Sequence, residues 1–403
     1  MDFRLDTRTA AMVEELQDFL ETCVYPAEPV YAAQEAEQAA EGGWDRPRVM
    51  TELQAEARHR GLWNLFSELP TLAYAPLAEL TGRSPWLAPE AVNCAAPDAG
   101  NMAVLAEFGT AAQRERWLRP LLTAETRSAF SMTEPDAASS DATTLGTRIE
   151  PDAGGWRITG RKWWSTGAMS PRCAFTLVLG VSDPDADPYH RHSLVIVPLD
   201  TPGVTVHRST PVFGYRDGPH GGHAELSFDG AWVPADHLLG EEGGGFVVAQ
   251  SRLGPSRVHH CMRLVGMAER ALELLCRRAV ERVAFGRPLA DQGVVREWIA
   301  RSRLAIDQVR LLIMRAAWLL DTGGPGAART EVAAIKATAP RVASRVIDRA
   351  IQAHGAAGLS EDLPLARLYA AARALHFADG PDEVQLHVVA RNELRRYRVD
   401  QPT

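Results

Sequence analysis

The apolar residues of this chain repeat with two different periods. From Thr9 to about Leu122 they recur three and four apart, between about Phe130 and Gly245 they fall into short β-rich runs bounded by Gly, Pro, Asp and Asn, and from Phe246 onward the wider spacing returns. A pattern written for a helix leaves a sheet half-exposed, and the reverse holds too, so the order must be helical, β, helical. The expected fold is α+β and multidomain: an N-terminal helical domain over 1–129, a central β-sandwich or barrel over 130–245, and C-terminal helices over 246–403. At 403 residues and 46% hydrophobic content, the chain is too long for one ordinary core and rich enough for two or three.

Local signals sharpen the boundaries. Thr110 and Gln113 make a capping-box pattern that opens the helix AAQRERWL. In the β region, WRITGRKWWST predicts a hairpin through Thr159-Gly160, with AFTLVLGV, HSLVIVPL, GVTVHR and HAELSFDGAWV as further strands. Beyond it, Leu264, Ala268, Ala271, Leu275, Ala279 and Val283 hold one helical face. A second long helix is expected from about Val294 to Leu320, ending at DTGGPG. A third, from about Glu331 to His354, contains Pro340 and is expected to kink there unless its neighbours compensate; Gly355 then stops it.

Composition excludes several classes of function. The formal net charge is -8 and no block of basic residues stands out, which argues against a nucleic-acid or anionic-membrane surface. Lys162 and Lys336 are the only lysines, a scarcity that reads as genomic bias. Five widely spaced cysteines without a C-x-x-C pair point to reduced thiols in the cytoplasm, and no apolar stretch reaches membrane-spanning length. There is no G-x-G-x-x-G after a strand, no P-loop and no G-x-S-x-G elbow. His259 and His260 are adjacent and so diverge on a helix; HGGH at 220–223 could bind metal in isolation, but its Gly-rich setting before a strand favours a turn, and no metal is expected.

Three stretches carry more. FSMTEPDAASSDATTLGT, 130–147, sets hydroxyls and small-residue amides side by side, as a phosphate or amide ligand would require. KWWST, 162–166, puts Trp163 and Trp164 on opposite faces of a strand, one for the core and one for a cleft. In HFADGPDEVQLH, 376–387, Gly380 can cap a helix, Pro381 suits its first position, and Asp382 with Glu383 complements the dipole. Asp379 is then either a second cap or a residue with a separate task, and local sequence leaves the two readings even.

In order and context these stretches resemble the acyl-CoA dehydrogenase family over essentially the whole chain. SMTEPDAASSD is similar to the family's first flavin and substrate motif and TGRKWWSTGA to its second. QAHGAAG followed by ADGPDEVQ resembles the C-terminal motif that bears the base, and ERVAFGRPL the segment that reaches the flavin of a neighbouring subunit. DGPDEV, NMAVLAEFGT, VFGYRDGPHGGH and GPSRVHHCMR are especially similar to a subgroup with Asp in place of the usual catalytic Glu.

The resemblance implies that the C-terminal helices form a four-helix bundle and that the cofactor is flavin adenine dinucleotide (FAD). Phe130, Met132 and Thr133 would line its isoalloxazine ring, with Trp164 and Thr166 along other parts, and Arg282 and Phe285 would reach it across a subunit interface, with Gln352 and Gly355 nearby. ASSD is one residue longer than the family's common GSD, so Ser139 and Ser140 are both candidates for the pyrophosphate or thioester side. Arg257 matches a coenzyme A position and Gly380 lies beside the thioester. Asp379 would take the Cα proton while hydride leaves Cβ for flavin N5.

The expected activity is α,β-dehydrogenation of an acyl-CoA in a homodimer or homotetramer, with electrons passing to an electron-transfer flavoprotein or similar acceptor. A nitroalkane-oxidising flavoenzyme and a dehydrogenase of carrier-protein thioesters are the alternatives, and a binding protein that has lost turnover is disfavoured by the acidic balance. Three departures bear on the pocket: Pro381 where relatives often have Thr, Ala356-Ala357 where a Gly is usual, and a short 65–80 segment.

Overall fold

A computed structural model describes residues 4–397 of the chain. The chain divides into two compact units. One is Thr22–Glu68 with Pro89–Leu253; the other takes the described residues up to Glu21, then Leu69–Ala88, and those from Gly254 onward.

The first unit holds all the long strands: β1 Arg127–Ser131, β2 Arg148–Asp152, β3 Gly155–Thr166, β4 Cys173–Val181, β5 His192–Pro198, β6 Val204–Ser209 and β7 His223–Pro234. They join in one seven-stranded sheet of order β1-β4-β2-β3-β7-β6, with β5 antiparallel to β4. Alternation explains why both faces are covered. Phe175, Leu177 and Leu179 of β4, with Leu194 and Ile196 of β5, pack with Met102, Leu105, Trp117 and Val248 from helices. The intervening Val178, Val195 and Val197 pack instead with Ile149, Leu226 and Phe228. Each face therefore buries its own apolar set. The capping box is present: the Gln113 amide donates to Thr110 Oγ1 at 3.2 Å, and the Thr110 amide to Gln113 Oε1 at 3.0 Å.

The hairpin expected at Thr159-Gly160 is not there. β3 runs straight through it, and the turn into β3 is made by Ala153 and Gly154, at φ 46° and 81°. Gly160 serves a close approach instead. A Cβ on it would stand 2.5 Å from Thr147 Oγ1, and the pairing with β7 shifts register between Ile158 and Gly160.

The second unit is helical. Its main helices are Thr7–Phe19, Thr71–Gly82, the part of Gly245–Glu281 from Gly254, a long segment over Gly293–His354, Leu365–Ala374 and Asp382–Arg395. Two glycines let backbones touch: a Cβ on Gly82 would lie 2.1 Å from the Arg263 carbonyl, and one on Gly266 would lie 1.9 Å from that of Glu79. In the long segment the break falls at Gly324, φ 72° and ψ -177°, just before Pro325. Pro340 is buried without non-helical angles, so the kink expected there is absent, while the break at Gly324 falls in DTGGPG, where the second long helix was expected to end. Gly355 ends the segment at φ 66°, as expected.

Candidate active site

Each unit carries its own share of the candidate residues. In the sheet unit, Phe130 lies half-buried one residue before the end of β1, with the Arg252 guanidinium 4.3 Å from its ring centroid. Arg252 is itself held by the Asn101 side-chain oxygen at 3.0 Å. No motif pointed to this cation, because it sits in a helix remote in sequence from β1. Met132 packs on the first core cluster, and the Thr133 carbonyl accepts from the Trp163 amide at 3.0 Å, which ties the end of β1 to β3.

The loop after Glu134 folds on its own side chains. Ser139 Oγ accepts the Glu134 amide at 2.9 Å, so this hydroxyl helps to close the loop, whereas Ser140 stands exposed. The Glu134 carboxylate accepts from the amides of Gly146 at 2.7 Å and Thr147 at 2.9 Å. It also pairs with Lys162 at 2.8 Å, and Lys162 donates to the Met132 carbonyl at 2.8 Å. Burial pushes the Lys162 ammonium down to about 8 against the pull of Glu134. Burial also works to raise Glu134, but Lys162 and the loop hydrogen bonds bring it below the ordinary carboxylate range.

The tryptophans do not take opposite faces. Pairing with β7 is irregular between Lys162 and Ser165, Trp164 sits at φ 54°, and its ring meets Trp163 edge-on at 6.3 Å. This bulge re-aims Trp164, leaving it 37% exposed, while Trp163 is half-buried. The buried indole nitrogen of Trp163 has no hydrogen-bond partner among the described residues. Thr166 lies half-buried two residues on, its hydroxyl 2.9 Å from His223 Nδ1.

In the helical unit, Asp379 and Gly380 form the turn before the last helix, at φ 58° and 98°. A left-handed Asp is tolerated but uncommon, and such positions gather at functional sites. Arg257 Nε donates to the main-chain carbonyl of Asp379 at 3.0 Å. The helix begins at Asp382 with Pro381 in the capping position, one residue later than expected, and no side chain caps it. Asp382 is not a solvent-facing complement to the dipole: it is buried, bonded to His376 Nδ1 at 2.7 Å and Arg341 Nε at 3.1 Å.

Lys336 donates to the Leu375 carbonyl at 2.6 Å beneath the same turn. Burial pushes its ammonium down, with Cys261, Asp379 and Asp382 opposing the shift. Both lysines of the chain are fully buried, so their placement has a local packing context that composition did not suggest.

Arg282 is exposed after the helix Gly245–Glu281, and Phe285 is wholly exposed at φ 53° on a two-residue-strand hairpin. Gln352 is exposed one turn before Gly355. His259 is an interior residue: its ring lies edge-on to Tyr74 at 4.6 Å, and burial pushes it down to about 3. No group of three metal-ligating side chains converges among the described residues.

The exposed Trp164 and the partnerless indole N–H of Trp163 offer aromatic surface and a donor of the kind that a flavin ring system takes.

Family models for the acyl-CoA dehydrogenase middle domain and C-terminal domain match residues 129–231 and 243–394. A Mycobacterium tuberculosis protein named as the acyl-CoA dehydrogenase FadE2 is 55% identical over 98% of both chains. A solved Mycobacterium abscessus structure, described as an acyl-CoA dehydrogenase, is 48% identical with a TM-score of 0.94, covering 98% of this chain and 100% of that one. Rat acyl-CoA dehydrogenase family member 11 is 46% identical over 98% of this chain, which spans about half (51%) of that relative's length. The chain belongs to the acyl-CoA dehydrogenase family.

Proposed function

We propose that this chain removes the Cα proton and Cβ hydride of a saturated acyl-CoA thioester, with Asp379 as the base. The observation that carries this reading is the backbone of Asp379: left-handed, gripped at its carbonyl by Arg257, and placed ahead of a helix whose capping position is Pro381. A carboxylate used as a general base must be held in one place against the proton that it takes. The amide N–H of Asp379 is assigned the thioester carbonyl, whose oxygen gains charge as the proton leaves.

FAD, when bound, supplies the hydride acceptor. Phe130, Met132, Thr133, Trp164 and Thr166 would hold its ring system, Ser139 its pyrophosphate, and Arg282, Phe285, Gln352 and Gly355 would reach it from a second copy of the chain. Ser140, Arg257 and Gly380 belong to the substrate. A fully exposed phenyl ring on a hairpin supports the second copy, and hence a homodimer or homotetramer. An electron-transfer flavoprotein or similar acceptor would reoxidise the enzyme. Five free cysteines suit a reducing cytoplasm, and among the described residues no helix is long and apolar enough to cross a membrane.

The test is to incubate the flavin-loaded protein with saturated acyl-CoA esters, acyl-carrier thioesters and nitroalkanes, and to identify the products by mass spectrometry. A product two mass units lighter from an acyl-CoA supports the proposal. Turnover of nitroalkanes alone contradicts it, and turnover confined to carrier thioesters moves the substrate class.

A further inference from the structure

The HGGH loop has more to do than turn. Asp217 sits at φ 54°, a single 3-10 turn over Gly218–His220 follows, and Gly221 and Gly222 at φ 72° and 64° bring the chain back into β7. The glycines allow backbone contact: a Cβ on Gly221 would be 2.9 Å from the Gly167 carbonyl, and the Gly167 amide donates to the Gly222 carbonyl at 2.9 Å. The loop is thereby fixed against the residue that follows Thr166.

This folding aligns four side chains. His220 Nδ1 lies 2.7 Å from Asp217 Oδ1, His223 Nε2 lies 3.2 Å from Asp217 Oδ2, and His223 Nδ1 lies 2.9 Å from Thr166 Oγ1. Burial acts to raise the Asp217 carboxyl, but His220 and His223 hold it well below the ordinary carboxylate range. An ionised carboxylate only accepts, so each imidazole donates to it. The Nε2–H of His223 is thus committed to Asp217, and a neutral His223 has a bare Nδ1 that accepts a hydrogen bond from the Thr166 hydroxyl. When His223 gains a proton from solvent at Nδ1, that N–H donates to Thr166 Oγ1 and the hydroxyl hydrogen is freed to point elsewhere.

We propose that Asp217, His220 and His223 form a proton-responsive relay that sets whether the Thr166 hydroxyl donates or accepts toward the flavin. The inference rests on the assignment of Thr166 to the flavin under the proposed function. His223 is a positioning residue: it acts through Thr166, and its ring also lies 5.2 Å from that of Trp164. The oxidised flavin ring offers acceptors at positions that carry hydrogen after reduction, so the protonation of His223 and the redox state of the cofactor are coupled.

The other charged groups near the loop are accounted for. Glu225, two residues along β7 on the same face as His223, is paired with Arg161 and Arg208. Glu35 reaches Gly218, and Arg216 stacks on Trp44 at 4.1 Å. Arg46, Asp45, Glu90, Arg127 and Arg172 line a small cavity with Gly218 and Gly221. Asp217 is the carboxylate bonded to the His223 ring.

The experiment follows the flavin absorbance spectrum and the two-electron reduction potential of the holoenzyme as a function of pH. His223→Asn keeps a polar partner for Thr166 but cannot take the proton. The wild type is expected to show a one-proton spectral transition that His223→Asn lacks. Across it, the potential–pH slopes of the two proteins should differ by one proton per two electrons, a tenfold change in equilibrium per pH unit, or about 30 mV. Asp217→Asn, which removes the anion bonded to the His223 ring, should move the transition toward acid, and it decides the matter should His223→Asn lose its flavin. A wild type that bleaches with acyl-CoA but titrates identically to both variants overturns the relay alone. A chain that takes up no flavin overturns the proposed function, and the relay with it.

Discussion

Arg257 Nε and the main-chain carbonyl oxygen of Asp379 stand 3.0 Å apart in a hydrogen bond that fixes the backbone of the proposed base. A residue that merely held coenzyme A would affect binding; one that also fixes the base must affect turnover. Arg257→Lys keeps the charge but not the planar Nε–H. It should lower kcat about 10- to 100-fold, the scale expected for a slightly misplaced reacting group, with flavin content unchanged. Steady-state kinetics showing a raised KM at wild-type kcat would leave Arg257 with the substrate alone.

Gly380 tests the same turn from the other side. At φ 98° an alanine is strained, and its Cβ would stand 2.6 Å from Gln385 Nε2. Gly380→Ala should cost about 1–3 kcal/mol in urea unfolding and reduce turnover although Asp379 is intact. Wild-type rates in this variant would mean that the turn does not position the base.

Asp382 answers to its buried partners. Sequence alone gives Asp382→Asn a cost of a few tenths to about 1 kcal/mol, as for a charge at a helix end. Bonded to His376 and Arg341 and shielded from solvent, it should instead cost about 1.5–3 kcal/mol. Chemical denaturation distinguishes the two values.

The buried Lys162 gives a pH signature. Its ammonium is pushed down to about 8 in the folded chain from an unfolded value of 10.5, so between these values the unfolded state binds more protons. The lysine's burial penalty is therefore full below about pH 8 and is relieved as pH rises toward 10.5. The unfolding free energy of wild type relative to Lys162→Met should climb across that window. A flat difference would mean that Lys162 titrates normally.

The order of helices, sheet and helices was legible because period and punctuation differ between segments, and the Thr110–Gln113 box because both its bonds are local. What failed depended on contacts distant in sequence. Thr159-Gly160 has turn composition, yet Thr147 pressing on Gly160 makes it part of a continuous strand. A regular strand would have parted Trp163 from Trp164, but the bulge at Trp164 brought them together. The pairing of Asp382 with Arg341 spans 41 residues and has no sequence signature. HGGH was correctly read as a turn, but only the β3–β7 register shows that His223 faces Thr166.

The central claim is that Asp379 takes the proton, and anaerobic rapid mixing of wild type and Asp379→Asn with a saturated acyl-CoA tests it most directly. Asn accommodates the left-handed turn and keeps the size of Asp but cannot act as the base, so flavin content and unfolding should match wild type. Bleaching of the flavin absorbance should be slower by about two to four orders of magnitude in the variant. A variant that bleaches at the wild-type rate with a substrate that reduces both would contradict the account, because the base would then lie elsewhere.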